Sequence, residues 1–222
     1  CNDFAWISPE STDRVLVYQG SSVLVSIEAV AQSTSEDGRE GTLRFPTFEM
    51  LRSIGAVIVD SDEVTQRADG IKPEALFLFT VGETGYFRCE VDYDALGKAI
   101  ESRCSCGSDG QSVHPEWQFI PISQLKQYRP KHRAFAGLVG YEYDTWYATR
   151  KFCGRCGTHL VHDMVERMVR CPQCGAMEFP KLFPAVIVGI VDSERNKVLV
   201  SRYANREYKR YALIAGFCEM GE

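Results

Sequence analysis

Four cysteines carry the most definite chemistry in this sequence. They form two Cys-x-x-Cys pairs, Cys153 with Cys156 and Cys171 with Cys174, inside FCGRCGTHLVHDMVERMVRCPQCGAMEFP, which runs from Phe152 to Pro180. Fourteen residues separate the pairs, and a glycine follows each second cysteine, Gly157 and Gly175. Zn²⁺ takes four soft donors in a tetrahedron. Two intervening residues let both thiolates of a hook reach one ion, and the glycine tolerates the tight turn this needs. Thr158 to Arg170 is long enough for a two-stranded ribbon. The spacing therefore predicts a zinc ribbon held by all four cysteines. Disulfides are the alternative. A redox Cys-x-x-Cys fits less well, because it comes singly on a βα unit. A closed four-thiolate site holds a fold and does not catalyse.

The elements around the ribbon are written in shorter patterns. Residues 1–125 read as a β-rich N-terminal domain. Arg14-Val-Leu-Val-Tyr18 and Ser22-Val-Leu-Val-Ser-Ile27 flank Gln19-Gly20 as a hairpin would. Gly55 to Asp60, Ala75 to Thr80, Tyr86 to Val91 and Trp117 to Ile122 are further strand candidates, and Phe48 to Ile54 a short helix. Asp92 caps a predicted helix through Ser102, with Ala95, Leu96, Ala99 and Ile100 on one face. Cys104-Ser-Cys106 is a loop with no second pair nearby. Residues 126–150 read as linker and helix: a basic stretch from Lys126 to Arg133, then Phe135, Leu138, Val139, Tyr143, Trp146 and Tyr147 at helical spacing. Trp146 and Tyr147 are expected to pack. The ribbon occupies 151–180. From 181 to 222 come Phe183-Pro-Ala-Val-Ile-Val-Gly-Ile-Val-Asp192, an apolar run of the kind buried on both faces, a return strand Lys197 to Ser201, a basic loop, and a third strand Tyr211 to Ala215. The fold class is α+β.

Composition adds exclusions. Hydrophobic residues make up 45% and charged residues 25% of 222, ordinary values for a globular chain. No apolar run approaches the length of a membrane span. The net charge of −5 speaks against a general nucleic-acid binder. Beyond the zinc ligands, Cys1, Cys89, Cys104, Cys106 and Cys218 form no even framework, which suits a reduced, intracellular, cytoplasmic setting. The chain starts at Cys1 and stops at Glu222, and reads as a fragment.

The ending Gly216-Phe-Cys-Glu-Met-Gly-Glu222 resembles the opening of the Nudix box, G-x5-E-x7-R-E-U-x-E-E-x-G-U, in which U is apolar. G-x5-E alone is weak. With the preceding four-cysteine ribbon and the Pro-Ala-Val-Ile-Val strand, Phe152 to Glu222 resembles the NADH pyrophosphatase (NAD⁺ diphosphatase) family of Nudix hydrolases. The resemblance implies an N-terminal domain, a zinc ribbon and the first strands of an α/β/α Nudix domain, in that order. It implies hydrolysis of the pyrophosphate bond of NAD(H) to NMN(H) and AMP, and action on NAD-capped RNA ends. It also implies catalytic Mg²⁺ or Mn²⁺ and a homodimer. Carried over residue by residue, it makes Glu222 the first box glutamate and Ala215 a backbone-carbonyl metal contact. Substrate contacts fall on Phe217, Phe179, Glu166 and Ile187.

Each assignment has a plainer reading. Phe217 and Phe179 are also good core residues, and Glu166 also suits a solvated ribbon charge. Phe179 stands where the family usually has Tyr, and Ser123 where it tends to have Arg. The R-E-U-x-E-E carboxylates do not occur in these residues, nor does S-Q-P-W-P-F-P-x-S, so the chain as given is expected to be inactive. The competing function is a non-catalytic zinc-ribbon binding or assembly module. A zinc-ribbon nucleic-acid binder is weaker still.

Overall fold

A computed structural model describes residues 7–29, 41–53, 56, 68, 75–89, 91–104, 117–205, 207 and 209–221. The chain divides into two compact units, Cys1–Pro180 and Lys181–Glu222.

Two larger sheets and the small ribbon sheet make up the described strands of the first unit. In one of the larger sheets, β1 (Arg14–Leu16) lies parallel to β6 (Thr84–Arg88), which pairs antiparallel with β5 (Leu76–Val81). In the other, the long β3 (Ser22–Ala29) is central. Its one edge takes β7 (Trp117–Pro121), and its other edge takes β2 (Tyr18–Gln19) and then β4 (Gly41–Arg44). The Gln19-Gly20 hairpin forms as expected, with Gly20 at φ 57°. It is shorter than the sequence suggests, because Arg14–Leu16 leaves it to pair with β6. The turn into β6 likewise rests on Gly82, at φ 64°. The strand candidate Gly55 to Asp60 lies, apart from Ala56, outside the described residues.

Alternation along these strands buries both faces. Leu16, Tyr18, Val23 and Val25 enter one core with Phe45, Leu78, Tyr86 and Ile120. Val15, Val17 and Leu24 enter a second core with Phe48, Phe77, Phe87 and Leu96. The second core is covered by α1 (Phe48–Ser53) and α2 (Tyr93–Cys104). Asp92 caps α2 as expected, its Oδ1 accepting from the N–H groups of Asp94 (3.0 Å) and Ala95 (2.9 Å).

The first core is covered by α3 (Lys131–Thr149). The bulky positions of this helix do not all face inward, and Phe135 is 66% exposed. The buried face of its first half is Ala134, Ala136, Gly137 and Gly140, and only later do Trp146 and Tyr147 turn in. A Cβ on Gly140 would sit 2.2 Å from Leu16 Cδ1 and 2.5 Å from the Tyr18 hydroxyl. That hydroxyl donates to the Gly137 carbonyl at 2.8 Å. Small residues thus let the helix backbone lie directly on the sheet. The stretch before α3 is also ordered into the unit. Ile122–Gln127 forms a 3-10 turn, and Arg129 bridges to Thr42 at the edge of β4.

The same core continues into the ribbon, for Cys153, Leu160, Val169 and Cys171 belong to it with Trp146 and Tyr147. The ribbon strands β8 (Val161–His162), β9 (Val169–Arg170) and β10 (Met177–Glu178) form a small antiparallel sheet in the order β10-β9-β8.

In the second unit β11 (Ala185–Val188) pairs antiparallel with β14 (Ile214–Phe217), and β12 (Val191–Asp192) with β13 (Lys197–Val198). Asp192 Oδ1 accepts from the Arg195 N–H at 3.0 Å to close the β12–β13 turn. The apolar run reads as a strand buried on both faces, yet all four residues of β11 are exposed. Its one strand partner among the described residues is β14, equally exposed, and no described layer of its own unit covers either face.

Candidate functional site

The two cysteine hooks fold as near copies of one another, eighteen residues apart. In the first, the Cys153 N–H donates to Thr158 O (2.8 Å) and the Gly157 N–H to Cys153 O (2.9 Å). In the second, the Cys171 N–H donates to Ala176 O (2.8 Å) and the Gly175 N–H to Cys171 O (3.1 Å). Gly157 and Gly175 hold φ at 76° and 71°, the left-handed conformation a side chain would resist. The Thr158 hydroxyl joins the hooks by donating to Gln173 Oε1 at 2.8 Å.

This brings all four sulfurs within 4.8 Å of one another. Cys153 and Cys174 stand 3.6 Å apart, Cys156 and Cys171 3.4 Å. Metal–sulfur bonds of about 2.3 Å in a tetrahedron put sulfurs roughly 3.8 Å apart, so the donor set fits Zn²⁺ with little adjustment. Amide hydrogens already face the sulfurs, from Arg155 to Cys153 and from Cys174 to Cys171, each at 3.4 Å. The side-chain and backbone hydrogen bonds of Thr158, with Cys171 next, hold the Cys156 thiol down to about 6. Cys174 goes the other way. A backbone hydrogen bond from Ala176 favours its thiolate, but desolvation and the sulfurs of Cys156, Cys171 and Cys153 push it up to about 12. Four thiolates this close need a cation among them, and a soft divalent ion supplies it.

The turn from β8 to β9 carries Glu166, which is exposed. Asp163 shapes that turn, its Oδ1 accepting from the N–H groups of Val165 (2.9 Å) and Glu166 (3.0 Å) while Oδ2 meets Arg170 Nε at 3.0 Å. Burial disfavours the Asp163 carboxylate, yet these N–H groups and Arg170 hold it below the usual range. Arg167 then clamps the turn to the sheets. One of its nitrogens donates to the Leu78 carbonyl, and its guanidinium lies 4.6 Å from the Tyr143 ring centroid. Sequence reasoning passed over Arg167, because a single arginine in a polar turn gives no sign of a distant aromatic. The same holds for the ion pair of Arg88 with Asp144, at 2.6 Å between β6 and α3.

His162 sits beneath that turn, buried, with its ring centroid 5.1 Å from that of Tyr147. Burial first, then Arg88 and Arg167, press it down to about 4. The imidazole is therefore neutral in the fold. Above pH 6.5 the free group is neutral too, and titration changes nothing. As pH falls from 6.5 towards 4 the unfolded chain binds the proton first, so stability drains over that window. The loss at pH 4 should approach about 3 kcal/mol. His162→Gln should flatten this part of the pH–stability curve while leaving the cysteines in place. An unchanged slope in that variant would show that His162 does not carry it.

The other sequence-predicted residues divide between the units. Phe179, 46% exposed, follows β10 in the first unit, as Glu166 precedes β9. Ile187, Ala215 and Phe217 are in the second. Ile187 pairs directly with Ala215, and Ala185 with Phe217. Ile187 and Phe217 are therefore diagonal neighbours on one face of this strand pair, 71% and 76% exposed. Glu222 and Cys106 lie outside the described residues. No described helix is long and apolar enough to cross a membrane.

No family model matches the chain. Curated relatives do. An NAD-capped RNA hydrolase NudC of Pseudomonas aeruginosa is 36% identical over 87 residues, covering 38% of this chain and 31% of the relative. Proteins of the same description from Vibrio atlanticus and Pectobacterium carotovorum are 32% identical over 112 residues and 30% over 120. These alignments cover 40% and 45% of the relatives, so the chain spans less than half the length of the curated proteins it matches. Relatives of that description align with part of this chain at 30–36% identity, and its four cysteines gather as a zinc ribbon requires, so the chain is similar to NudC proteins of the NADH pyrophosphatase family of Nudix hydrolases.

Proposed function

We propose that this chain serves hydrolysis of the pyrophosphate bond of NAD(H) to NMN(H) and AMP, and of the same bond at NAD-capped RNA ends. The observation that carries the reading is the 36% identity to an NAD-capped RNA hydrolase NudC. In this reading residues 1–125 are an N-terminal domain, 126–150 its connection, 151–180 the ribbon and 181–222 the start of a Nudix domain. The working molecule is an intracellular, cytoplasmic homodimer.

Zn²⁺ bound by Cys153, Cys156, Cys171 and Cys174 is structural, because four thiolates leave no open position for water or substrate. Phe217 and Ile187 offer a flat, exposed apolar face against which a nucleobase or nicotinamide ring stacks. In the first unit, taken by itself and on the resemblance alone, Phe179 offers a ring, and Glu166, on a turn fixed by Asp163 and Arg167, offers a hydrogen-bond acceptor for an amino group or ribose hydroxyls. Mg²⁺ takes about six oxygens in the hydrolases of this kind. The Ala215 carbonyl and Glu222 would supply only part of that set. The polypeptide of these 222 residues is expected to bind NADH without turning it over.

The test is direct titration of NADH fluorescence with the zinc-loaded chain. Phe217→Ala and Glu166→Gln should each weaken binding about fivefold, the equivalent of roughly 1 kcal/mol. Their melting temperatures should stay at the wild-type value, because both side chains are exposed. In an enzyme with the complete box the same changes should raise KM more than they lower kcat. Lower melting temperatures with unaltered NADH affinity would make both residues structural and sink the assignment.

A further inference from the structure

Two guanidiniums and a phenol meet where α3 lies against the sheet of β1, β6 and β5, with no acid to balance them. The backbone directs all three there. Arg14 stands two residues before Leu16 on β1 and shares the strand face that Leu16 turns towards Gly140 of α3. In the parallel β1–β6 pair Arg14 is in register with Tyr86, which enters the same core as Leu16. The Val15 N–H donates to Pro46 O at 2.8 Å, which sets the start of β1 beside the end of β4. Arg133 precedes Gly137 and Gly140 by one and two turns on the stripe of α3 that faces the sheets. Its Nη1 donates to Leu43 O at 3.1 Å.

Acidic neighbours do not cancel this charge. Asp13 is adjacent to Arg14, but its carboxylate accepts from the N–H groups of Gly85 (2.8 Å) and Glu10 (2.9 Å). Arg44 adds a further cation and is itself paired with Glu28 at 2.8 Å. Among the described residues neither Arg14 nor Arg133 makes an ion pair, and the Tyr86 hydroxyl makes no hydrogen bond although Tyr86 is only 2% exposed. The three groups feel one another. Burial first and Arg133 next lower the Arg14 pKa, while burial raises that of Tyr86 and Arg133 and Arg14 oppose the rise. Like charges gathered in a half-buried place cost stability until an anion joins them.

We propose that Arg14, Arg133 and the Tyr86 hydroxyl form a binding site for the phosphomonoester dianion of a small soluble compound. Guanidinium forks match phosphate oxygens bidentately, and the phenol donates to a remaining one. Near neutral pH a monoester carries about −1.5 to −2 charges on three terminal oxygens, whereas a diester carries a single charge on two. Both arginines are half-buried, which suits a small headgroup and not the broad plane of a membrane. The site lies wholly within the first unit, so its test is independent of the hydrolase reading.

The probe is methyl phosphate, titrated calorimetrically into the zinc-loaded 222-residue chain at constant ionic strength. One equivalent should bind with a Kd below about 1 mM, and inorganic phosphate should compete with it. Dimethyl phosphate, the matching diester, should bind at least about tenfold more weakly. Arg14→Gln and Arg133→Gln should each weaken methyl phosphate about tenfold, and Tyr86→Phe about threefold. Without ligand, Arg14→Gln and Tyr86→Phe should melt no lower than wild type, since the first relieves a like charge and the second keeps the ring. Lys197→Gln removes one exposed cation from the second unit and should leave affinity as it was. Absence of methyl phosphate binding would overturn the proposal, as would a diester bound as tightly or an equal loss from Lys197→Gln. Full affinity in both arginine variants would overturn it too. So would lower ligand-free melting of both Arg14→Gln and Tyr86→Phe, which would make the cluster structural. Phosphatidic-acid vesicles capturing the chain while methyl phosphate does not bind would also refute it.

Discussion

Cys171→Ser is expected to abolish binding of the one zinc per chain and to unfold more than the ribbon. Cys171 is 1% exposed and belongs to the core that also holds Trp146, Tyr147, Leu160 and Val169. Structural zinc contributes about 10–16 kcal/mol to the folding of small ribbons. That is as large as the whole net stability of an ordinary domain, about 5–15 kcal/mol. Losing the metal should therefore loosen the end of α3 along with β8, β9 and β10. The readouts are metal content, which should fall from one equivalent to near zero, and tryptophan emission, which should shift to the red as Trp146 is wetted. Wild-type protein stripped by a strong chelator should show the same change and recover when zinc is restored. Retention of a full equivalent by the variant, or melting at the wild-type temperature without metal, would refute the site.

Gly140→Ala should destabilise the first unit by about 2–3 kcal/mol, in spite of the better helix propensity of alanine. Propensity alone favours the change by about 1 kcal/mol. Packing opposes it, because the new methyl would stand 2.2 Å from Leu16 Cδ1 and 2.5 Å from the Tyr18 hydroxyl. Both neighbours are buried, so room comes only from moving α3 off the sheet, with strain of about 1–3 kcal/mol or more and loss of the Tyr18–Gly137 hydrogen bond. Gly97 in α2 is the control, since a Cβ there meets nothing within 4 Å. Gly97→Ala should raise the denaturation midpoint, and Gly140→Ala should lower it. Midpoints moving in the same direction would mean that propensity, not close packing, decides both.

The sequence spoke most clearly where one residue type is forced by local geometry. The hooks were legible because two cysteines and a following glycine allow few backbones. The turn at Gly20 and the cap at Asp92 were legible for the same reason. α3 was legible as a helix, but its inward face was not. Periodicity pointed to Phe135, while the helix approaches the sheet through Gly137 and Gly140, and small residues give no hydrophobic signal. The departure of Arg14–Leu16 to β6 was hidden because β-branched runs do not name their partners. Arg167 was hidden because its meaning depends on Leu78 and Tyr143, more than eighty and more than twenty residues away. The assigned substrate residues rested on resemblance, and their exposure follows from packing that no local pattern encodes.

The pairing of the hooks has a kinetic consequence. Each hook contributes one inner sulfur, Cys153 or Cys171, and one outer sulfur, Cys156 or Cys174. An incoming chelator or oxidant therefore meets the second cysteine of each hook before the first. Ligand exchange begins at those two, and the ion stays attached through the pair that the core holds still. Release must then wait for the surrounding side chains to part, so the lifetime of the bound metal reports how often the interior of the first unit opens.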